Sequence, residues 1–275
     1  MKLYIVGTPI GNLGDMSPRA VETLHTCDFI AAEDTRVTAK LLHHFGIATP
    51  MVSYHEHNAR TSGASILQRL QSGCKAAALV TDAGMPAISD PGQQLIDACH
   101  QAGIAVETVP GPTAFATALA LSGQPSGRFT FEGFLSVTKR SRREHLASLA
   151  GETRTMLFYE APHKLPHTLR DLAEHFGDRP LAIVRELTKL HEQVIRTTCA
   201  QAATDYPEAT LKGEIVLVLG GAEPVKPEAL SLDQAVALAR DYADKGEPLP
   251  QAAKRAAKES GCRRGEIYAQ LTKES

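Results

Sequence analysis

The chain has 275 residues, 43% hydrophobic and 22% charged, with a formal net charge of -2. That composition excludes a disordered tail, a collagen-like repeat and a disulfide scaffold, and the length leaves room for two domains. A near-neutral balance gives no global basic field, so a nucleic-acid surface has to be local; with no Trp and 5% aromatics, wide stacking platforms are not expected. The cysteines (Cys27, Cys74, Cys99, Cys199, Cys262) are scattered and never paired as Cys-x-x-Cys. This argues against a zinc ribbon or a secreted framework and for a reducing compartment. No apolar run reaches membrane-spanning length and the N-terminal one is too short for a signal sequence, so a soluble, cytoplasmic protein with no membrane partner is expected.

In chain order, Leu3–Val6 predicts a strand ending in a Gly/Pro loop, Pro18–His25 a helix, and Phe29–Ala32 a strand running into Glu33-Asp-Thr-Arg36. Val37–Phe45 and Ala59–Gln71 read as helices, and Ala76–Thr81 as a buried strand followed by a loop over 82–92. Gln93–Gln101 is a helix and Val106–Val109 a strand. Such alternation argues for a mainly parallel sheet with helices on both faces.

Pro110-Gly-Pro112 breaks the chain, and the domain boundary is placed near Gly111. A helix over Thr113–Leu121, with Thr113 as N-cap, opens a second α/β unit. It continues with strand Phe129–Phe134, helix Arg143–Leu149, strand Met156–Tyr159, helix Leu165–Phe176, and strands Leu181–Arg185 and Ile215–Leu219. Residues 221–230 read as a Pro-punctuated linker. Ser231-Leu-Asp-Gln234 is a capping box opening an Ala-rich helix that stops at Gly246, and helices follow over Pro250–Ser260 and Gly265–Leu271. The expected organisation is therefore an N-terminal α/β domain (1–111), a second α/β domain (112–220), the linker, and a helix-turn-helix-like extension (231–275).

Three loops follow strands in the first half: Gly7-Thr-Pro-Ile-Gly-Asn12, Glu33-Asp-Thr-Arg36 and Thr81-Asp-Ala-Gly-Met-Pro86. In an open α/β sheet such loops converge on one crevice, which points to a nucleotide-like ligand. A dinucleotide fingerprint is not met. Glu33 and Asp34 lie at the right distance for a ribose, but Pro9 stands where the second glycine belongs and removes a backbone donor. No phosphate-cradling Gly-x-x-x-x-Gly-Lys-Ser/Thr loop exists either. A nucleoside-containing ligand without a pyrophosphate remains, a description that S-adenosylmethionine fits.

Several long stretches resemble one family: Leu3-Tyr-Ile-Val-Gly-Thr-Pro-Ile-Gly-Asn-Leu-Gly14, Glu33-Asp-Thr-Arg36, Val52-Ser-Tyr-His-Glu-His-Asn58 and Val80-Thr-Asp-Ala-Gly-Met-Pro-Ala-Ile-Ser-Asp-Pro-Gly92. So do Val109-Pro-Gly-Pro-Thr113, Phe158-Tyr-Glu-Ala-Pro-His163 and Arg185-Glu-Leu-Thr188. The family is that of bacterial small-subunit ribosomal RNA cytidine 2′-O-methyltransferases, within the tetrapyrrole-methylase superfamily. The resemblance runs from about residue 3 to residue 220, and the trailing helices look like that family's C-terminal extension. One departure is Ser136, where the family usually shows Pro. The resemblance implies two α/β domains of the tetrapyrrole-methylase type with S-adenosylmethionine in the cleft between them, a homodimer, and methyl transfer to a cytidine ribose 2′-hydroxyl of 16S ribosomal RNA in the assembled small subunit. Carried over by motif, the cofactor contacts are Pro9, Asp82, Ala83, Gly84, Met85, Pro86, Thr113, Ala114, Tyr159 and Glu214.

Methyl transfer from a sulfonium to a hydroxyl is an in-line displacement, so the protein mainly aligns the reacting atoms and benefits from a proton acceptor. Candidates at loop ends are Asp34, His55, Glu56, His57 and Glu160, with Arg36 suited to gripping a phosphate. Asp34 and Arg36 also suit a plain ion pair or helix cap. His55-Glu-His57 has no third ligand at metal spacing, so no metal is expected. Two basic clusters are the local evidence for RNA: Lys139, Arg140, Arg142 and Arg143, and the C-terminal Lys254, Arg255, Lys258, Arg263 and Arg264. Solvated faces of helices explain such runs equally well. The competing readings are a tetrapyrrole C-methyltransferase of the same fold, a nicotinamide-dependent oxidoreductase using Asp34 on a ribose, and a non-enzymatic nucleic-acid-binding regulator built on the terminal helices.

Overall fold

A computed structural model describes residues 1–223 and 230–273; of the expected linker, 224–229 lie outside the described residues. The chain divides into two compact units, Met1–Ala222 and Glu223–Ser275.

The first unit opens with strand β1 (Lys2–Val6), helix α1 (Pro18–Thr26), β2 (Phe29–Ala32), α2 (Thr35–His44), β3 (Met51–Ser53), α3 (Ala59–Gln71), β4 (Ala76–Val80), α4 (Gln93–Gln101) and β5 (Ala105–Val109). Local chemistry sets the helix starts: the Ser17 hydroxyl accepts from the Ala20 amide at 3.1 Å and Pro18 fills the first turn of α1. The strands form an all-parallel sheet in the order β3-β2-β4-β1-β5. Successive residues feed opposite cores. Leu3, Phe29, Ala31, Ala77 and Leu79 pack with α3 and α4, while Val6, Ile30, Ala32, Ala78 and Val80 pack with α1 and α2. Burial on both faces is why the inner strands β1, β2 and β4 read as apolar runs.

The same unit continues with α5 (Ala114–Ser122), β6 (Phe129–Phe134), α6 (Lys139–Ser148), β7 (Thr155–Glu160), α7 (Leu165–Phe176), β8 (Pro180–Arg185), β9 (Gln193–Thr198), α8 (Cys199–Asp205) and β10 (Ile215–Leu219). The second sheet has the order β6-β7-β10-β8-β9 and is mixed: β6 runs parallel to β7, whereas β10 is antiparallel to both neighbours and β9 to β8. Three elements have no counterpart in the sequence expectation. β3, β9 and α8 were not anticipated: β3 and β9 are short or polar edge strands without a clean apolar alternation, and α8 is a single short helix. The helix expected from Arg143 starts at Lys139, because Thr138 receives the Arg142 amide at 3.0 Å, and Arg142 and Arg143 find acids on α7. Thr113 does occupy the N-cap position of α5, but its hydroxyl makes no capping bond.

The second unit consists of α9 (Leu232–Asp244), α10 (Leu249–Ser260) and α11 (Arg264–Lys273). The Ser231–Gln234 capping box is reciprocal, with the Gln234 amide donating to Ser231 Oγ at 3.2 Å and the Ser231 amide to Gln234 Oε1 at 2.9 Å. Ala235, Ala239, Ala253 and Ala256 let the helices approach around Ile267 and Leu271. Among the described residues no helix is long and apolar enough to cross a membrane.

Candidate functional site

The three strand-end loops converge and are bonded to one another. Thr8 and Gly84 exchange backbone bonds of 2.9 and 3.1 Å, and Thr8 Oγ1 donates to the Thr81 carbonyl at 3.1 Å. The Asp34 amide donates to Asp82 Oδ1 at 3.2 Å, and the Asp82 amide to Glu33 Oε2 at 3.4 Å. Side chains at one loop therefore fix the backbone of the next.

A cavity of about 460 Å³ opens at this convergence, a size that accommodates a nucleoside-sized ligand. Of the residues singled out from the sequence, Asp82, Ala83, Gly84, Met85, Thr113, Ala114, Tyr159, Glu160 and Glu214 line it. Pro9 and Pro86 are buried and are not part of the lining, and Asp34, Arg36 and His55 also lie outside it. Asp90, Ile88, Phe134 and Leu187 line it without having been selected, and Glu33, weighed from the sequence only as a ribose ligand of a dinucleotide, lines it as well. Asp90 and Ile88 sit in the long motif after β4, and an aromatic residue following a strand glycine was the available signal for Phe134.

Among the described residues the lining carries five carboxylates, Glu33, Asp82, Asp90, Glu160 and Glu214, and no Lys, Arg or His. Burial raises the proton affinity of Glu33, with the charges of Asp90 and Asp82 adding to it. Burial likewise raises Asp90, helped by Asp82, and desolvation raises Asp82. Glu160 is engaged: one oxygen accepts from the Ala161 amide at 2.8 Å and the other from the Thr168 hydroxyl. Glu214 accepts from Lys189 Nζ at 3.0 Å, and Lys189 also reaches Glu186 Oε1 at 2.9 Å. Between those anchors Leu187 enters the lining, flanked by Glu186 (φ 52°) and Thr188 (φ 64°) in left-handed backbone that non-glycine residues rarely adopt. Tyr159, whose phenol is raised by burial, accepts from the Phe115 amide at 3.3 Å.

Asp34 is the N-cap of α2. Its Oδ1 accepts from the Arg36 amide at 2.8 Å and from Arg36 Nε at 3.0 Å, and Arg36 Nη2 meets Oδ2 at 2.5 Å. The guanidinium holds this carboxyl well below the usual range, so it is a weak proton acceptor. His55 stands before a single 3-10 turn over Glu56–Asn58, with the His57 ring 6.0 Å away.

The basic clusters are less open than their sequence suggests. Arg142 is a mostly covered ion-pair partner rather than a surface cation: it meets the buried Asp171 at 2.7 Å, with side-chain exposures of 13% and 9%. Arg143 pairs with Glu174 and faces Asp171 at 3.5 Å, and Arg140 pairs with Glu144 at 2.8 Å. In the second unit Arg255 meets Glu247 at 2.5 Å and lies over the Tyr242 ring at 4.1 Å, and Arg263 stands 4.0 Å from Glu266. Lys139, Lys254, Lys258 and Arg264 are exposed and pair with no acid among the described residues.

The sequence profile of the tetrapyrrole (corrin/porphyrin) methylases matches residues 2–203. The chain is 50% identical over 267 residues to the ribosomal RNA small subunit methyltransferase I of Synechocystis sp., covering 97% of this chain and 95% of that protein. It is 44% identical to the protein of the same name from Bacillus subtilis, over 97% of this chain and 92% of the other. Among solved structures, cobalt precorrin-4 methyltransferase aligns with a TM-score of 0.59 at 18% identity, over 80% of this chain and 94% of the other. Uroporphyrin-III C-methyltransferase from Thermus thermophilus, solved with S-adenosyl homocysteine, aligns with a TM-score of 0.57 at 18% identity, over 80% and 97%. At these identities the two structures bear on the fold alone.

Proposed function

Because the chain belongs to the ribosomal RNA small subunit methyltransferase I family, within the tetrapyrrole (corrin/porphyrin) methylases, we propose that it transfers a methyl group from S-adenosylmethionine to the ribose 2′-hydroxyl of a cytidine in 16S ribosomal RNA. The observation that carries this reading is the acid-lined cavity without a cation. A ligand bearing a sulfonium and an ammonium is attracted there, whereas the pyrophosphate of a dinucleotide faces carboxylates with no lining cation to neutralise it. The lining has the chemistry for each part of such a ligand: Glu33, Asp82 and Asp90 for the cationic end, and Tyr159, Ala114, Leu187 and Val216 for a purine.

When bound, S-adenosylmethionine supplies an already activated methyl group. What is left for the chain is to position the hydroxyl, keep water out and accept a proton, the last worth roughly 10²–10⁴-fold. Glu33, Asp82 and Asp90 hold protons more tightly than ordinary carboxylates, the direction a proton acceptor requires. Asp34 and Arg36 anchor the start of α2, and through the Asp34 amide they brace Asp82. Glu160 braces the turn into α7.

The substrate is the assembled small subunit, approached through Lys139, Lys254, Lys258 and Arg264, and the enzyme works in the cytoplasm as a homodimer. The dimer is supported by α5, apolar on every side, with Leu121 43% exposed, and by the exposed Phe129 of edge strand β6, whose ring lies 6.2 Å from Phe115 of α5. Calorimetry separates the cofactor classes. S-adenosylmethionine binds and NAD does not; binding of NAD alone overturns the reading.

A further inference from the structure

Phe134 ends a row of four aromatic side chains. Phe115 stacks on Phe131 at 4.7 Å, Phe131 meets the edge of Tyr159 at 5.0 Å, and Phe134 meets Tyr159 at 5.4 Å with the rings 62° apart. The first three rings are partly buried. Phe134 lines the cavity and yet is 60% exposed. Leaving most of an aromatic ring in water forgoes the transfer free energy that burial gives, so core packing does not account for its position.

The strand is bent to put the ring there. In β6, Phe131 pairs with Leu157, Gly133 with Phe158 and Phe134 with Tyr159, which makes Glu132 the extra residue of a bulge. Side chains alternate along a regular strand, so residues three apart point to opposite faces. The bulge cancels one alternation and returns Phe134 to the face of Phe131 and Tyr159, the cavity side. Gly133 permits this with φ 64°, and His145 holds the displaced Glu132 carboxylate at 3.0 Å. Ile88, 49% exposed, lines the same cavity from the loop after β4. The outcome is a flat apolar surface, packed against the Tyr159 ring and open to solvent, on a cavity that also carries five carboxylates.

On the premise of methyl transfer to RNA, we propose that Phe134 is the stacking platform for the pyrimidine base of the acceptor nucleotide, placed so that the attached ribose hydroxyl is presented to the cavity. Unpaired bases are commonly recognised by stacking on a single aromatic ring, and a ring at the rim engages the acceptor without taking space from the cofactor.

The test is steady-state methyl transfer to small subunits with Phe134→Ala, Phe134→Leu and Phe134→Tyr, together with calorimetric affinity for S-adenosylmethionine and the mass of each variant in solution. Stacking predicts that Ala and Leu lower kcat/KM for the subunit by about 5- to 100-fold, mostly through KM, while Tyr restores it. Cofactor affinity changes far less than kcat/KM, and mass stays at the parent value. Recovery by Leu means apolar packing and overturns the proposal, as does a comparable loss of cofactor affinity, a loss of dimer mass, or no change at all. If the unaltered protein binds S-adenosylmethionine but methylates no small-subunit RNA, the functional reading fails first and the assignment goes with it.

Discussion

Gly7 and Gly111 touch backbone to backbone: a Cβ on Gly7 would fall 2.6 Å from the Gly111 Cα, and a Cβ on Gly111 would fall 2.8 Å from Gly7 Cα. The first residue past β1 and the chain break between the two sheets are thereby locked together, with Met85 Sδ accepting the Gly111 amide at 3.3 Å from the third loop. The contact leaves no room for a methyl group, and the neighbouring atoms are backbone that cannot swing aside. Gly111→Ala is expected to destabilise the protein by about 1–3 kcal/mol, the cost of overpacking a filled site, and to weaken S-adenosylmethionine binding because Met85 lines the cavity. Denaturant titration and calorimetry on the same variant check both.

Protonation of the cavity acids opposes a cationic ligand. Glu33, Asp82 and Asp90 keep their protons to higher pH than free carboxylates. As pH falls from neutrality their charge is lost before the ordinary carboxylate range is reached, and the attraction goes with it. Affinity for S-adenosylmethionine therefore falls as pH falls, binding at mildly acid pH releases protons to the buffer, and Asp90→Asn flattens the dependence. Calorimetry in buffers of different ionisation enthalpy measures the proton release.

Arg142 and Asp171 form a mostly covered pair joining α6 to α7. Removing the cation strands a carboxylate that water no longer reaches, although Arg143 still faces it at 3.5 Å. Arg142→Ala is expected to cost about 3 kcal/mol of stability, read by thermal or denaturant unfolding, with no specific effect on the salt dependence of subunit binding.

Lys139, Lys254, Lys258 and Arg264 should behave the other way. Replacing them leaves stability within about 0.5 kcal/mol, weakens binding to the small subunit, and makes the slope of log affinity against log salt shallower by roughly 0.7–0.9 per lost phosphate contact. A salt titration of the quadruple variant against the parent gives that slope directly.

Much of this molecule can be read from its residues. The parallel first sheet is legible because strands buried on both faces become apolar runs, and the helix starts because Ser17 and Ser231 carry their capping chemistry locally. The convergence of the three loops follows from the topology of such a sheet, and the motifs supply the lining from Asp82 to Met85. What escaped depends on partners far along the chain. Arg142 reads as a free cation until Asp171 is placed beside it, 29 residues on. Asp34 reads equally as a base, a ribose ligand or a cap, and the structure places its carboxylate in the cap of α2 and in an ion pair with Arg36. Phe134 escaped because a bulge reverses strand parity, which periodicity alone does not reveal.

The central claim is methyl transfer to a ribose hydroxyl of small-subunit RNA. Its most direct test is to incubate the protein with methyl-labelled S-adenosylmethionine and, separately, intact small subunits lacking the modification, free 16S RNA, and uroporphyrinogen III, then digest the labelled RNA to nucleosides and identify them by mass. The account predicts label in 2′-O-methylcytidine from the subunits; label only in the tetrapyrrole, or on a base rather than a ribose, contradicts it.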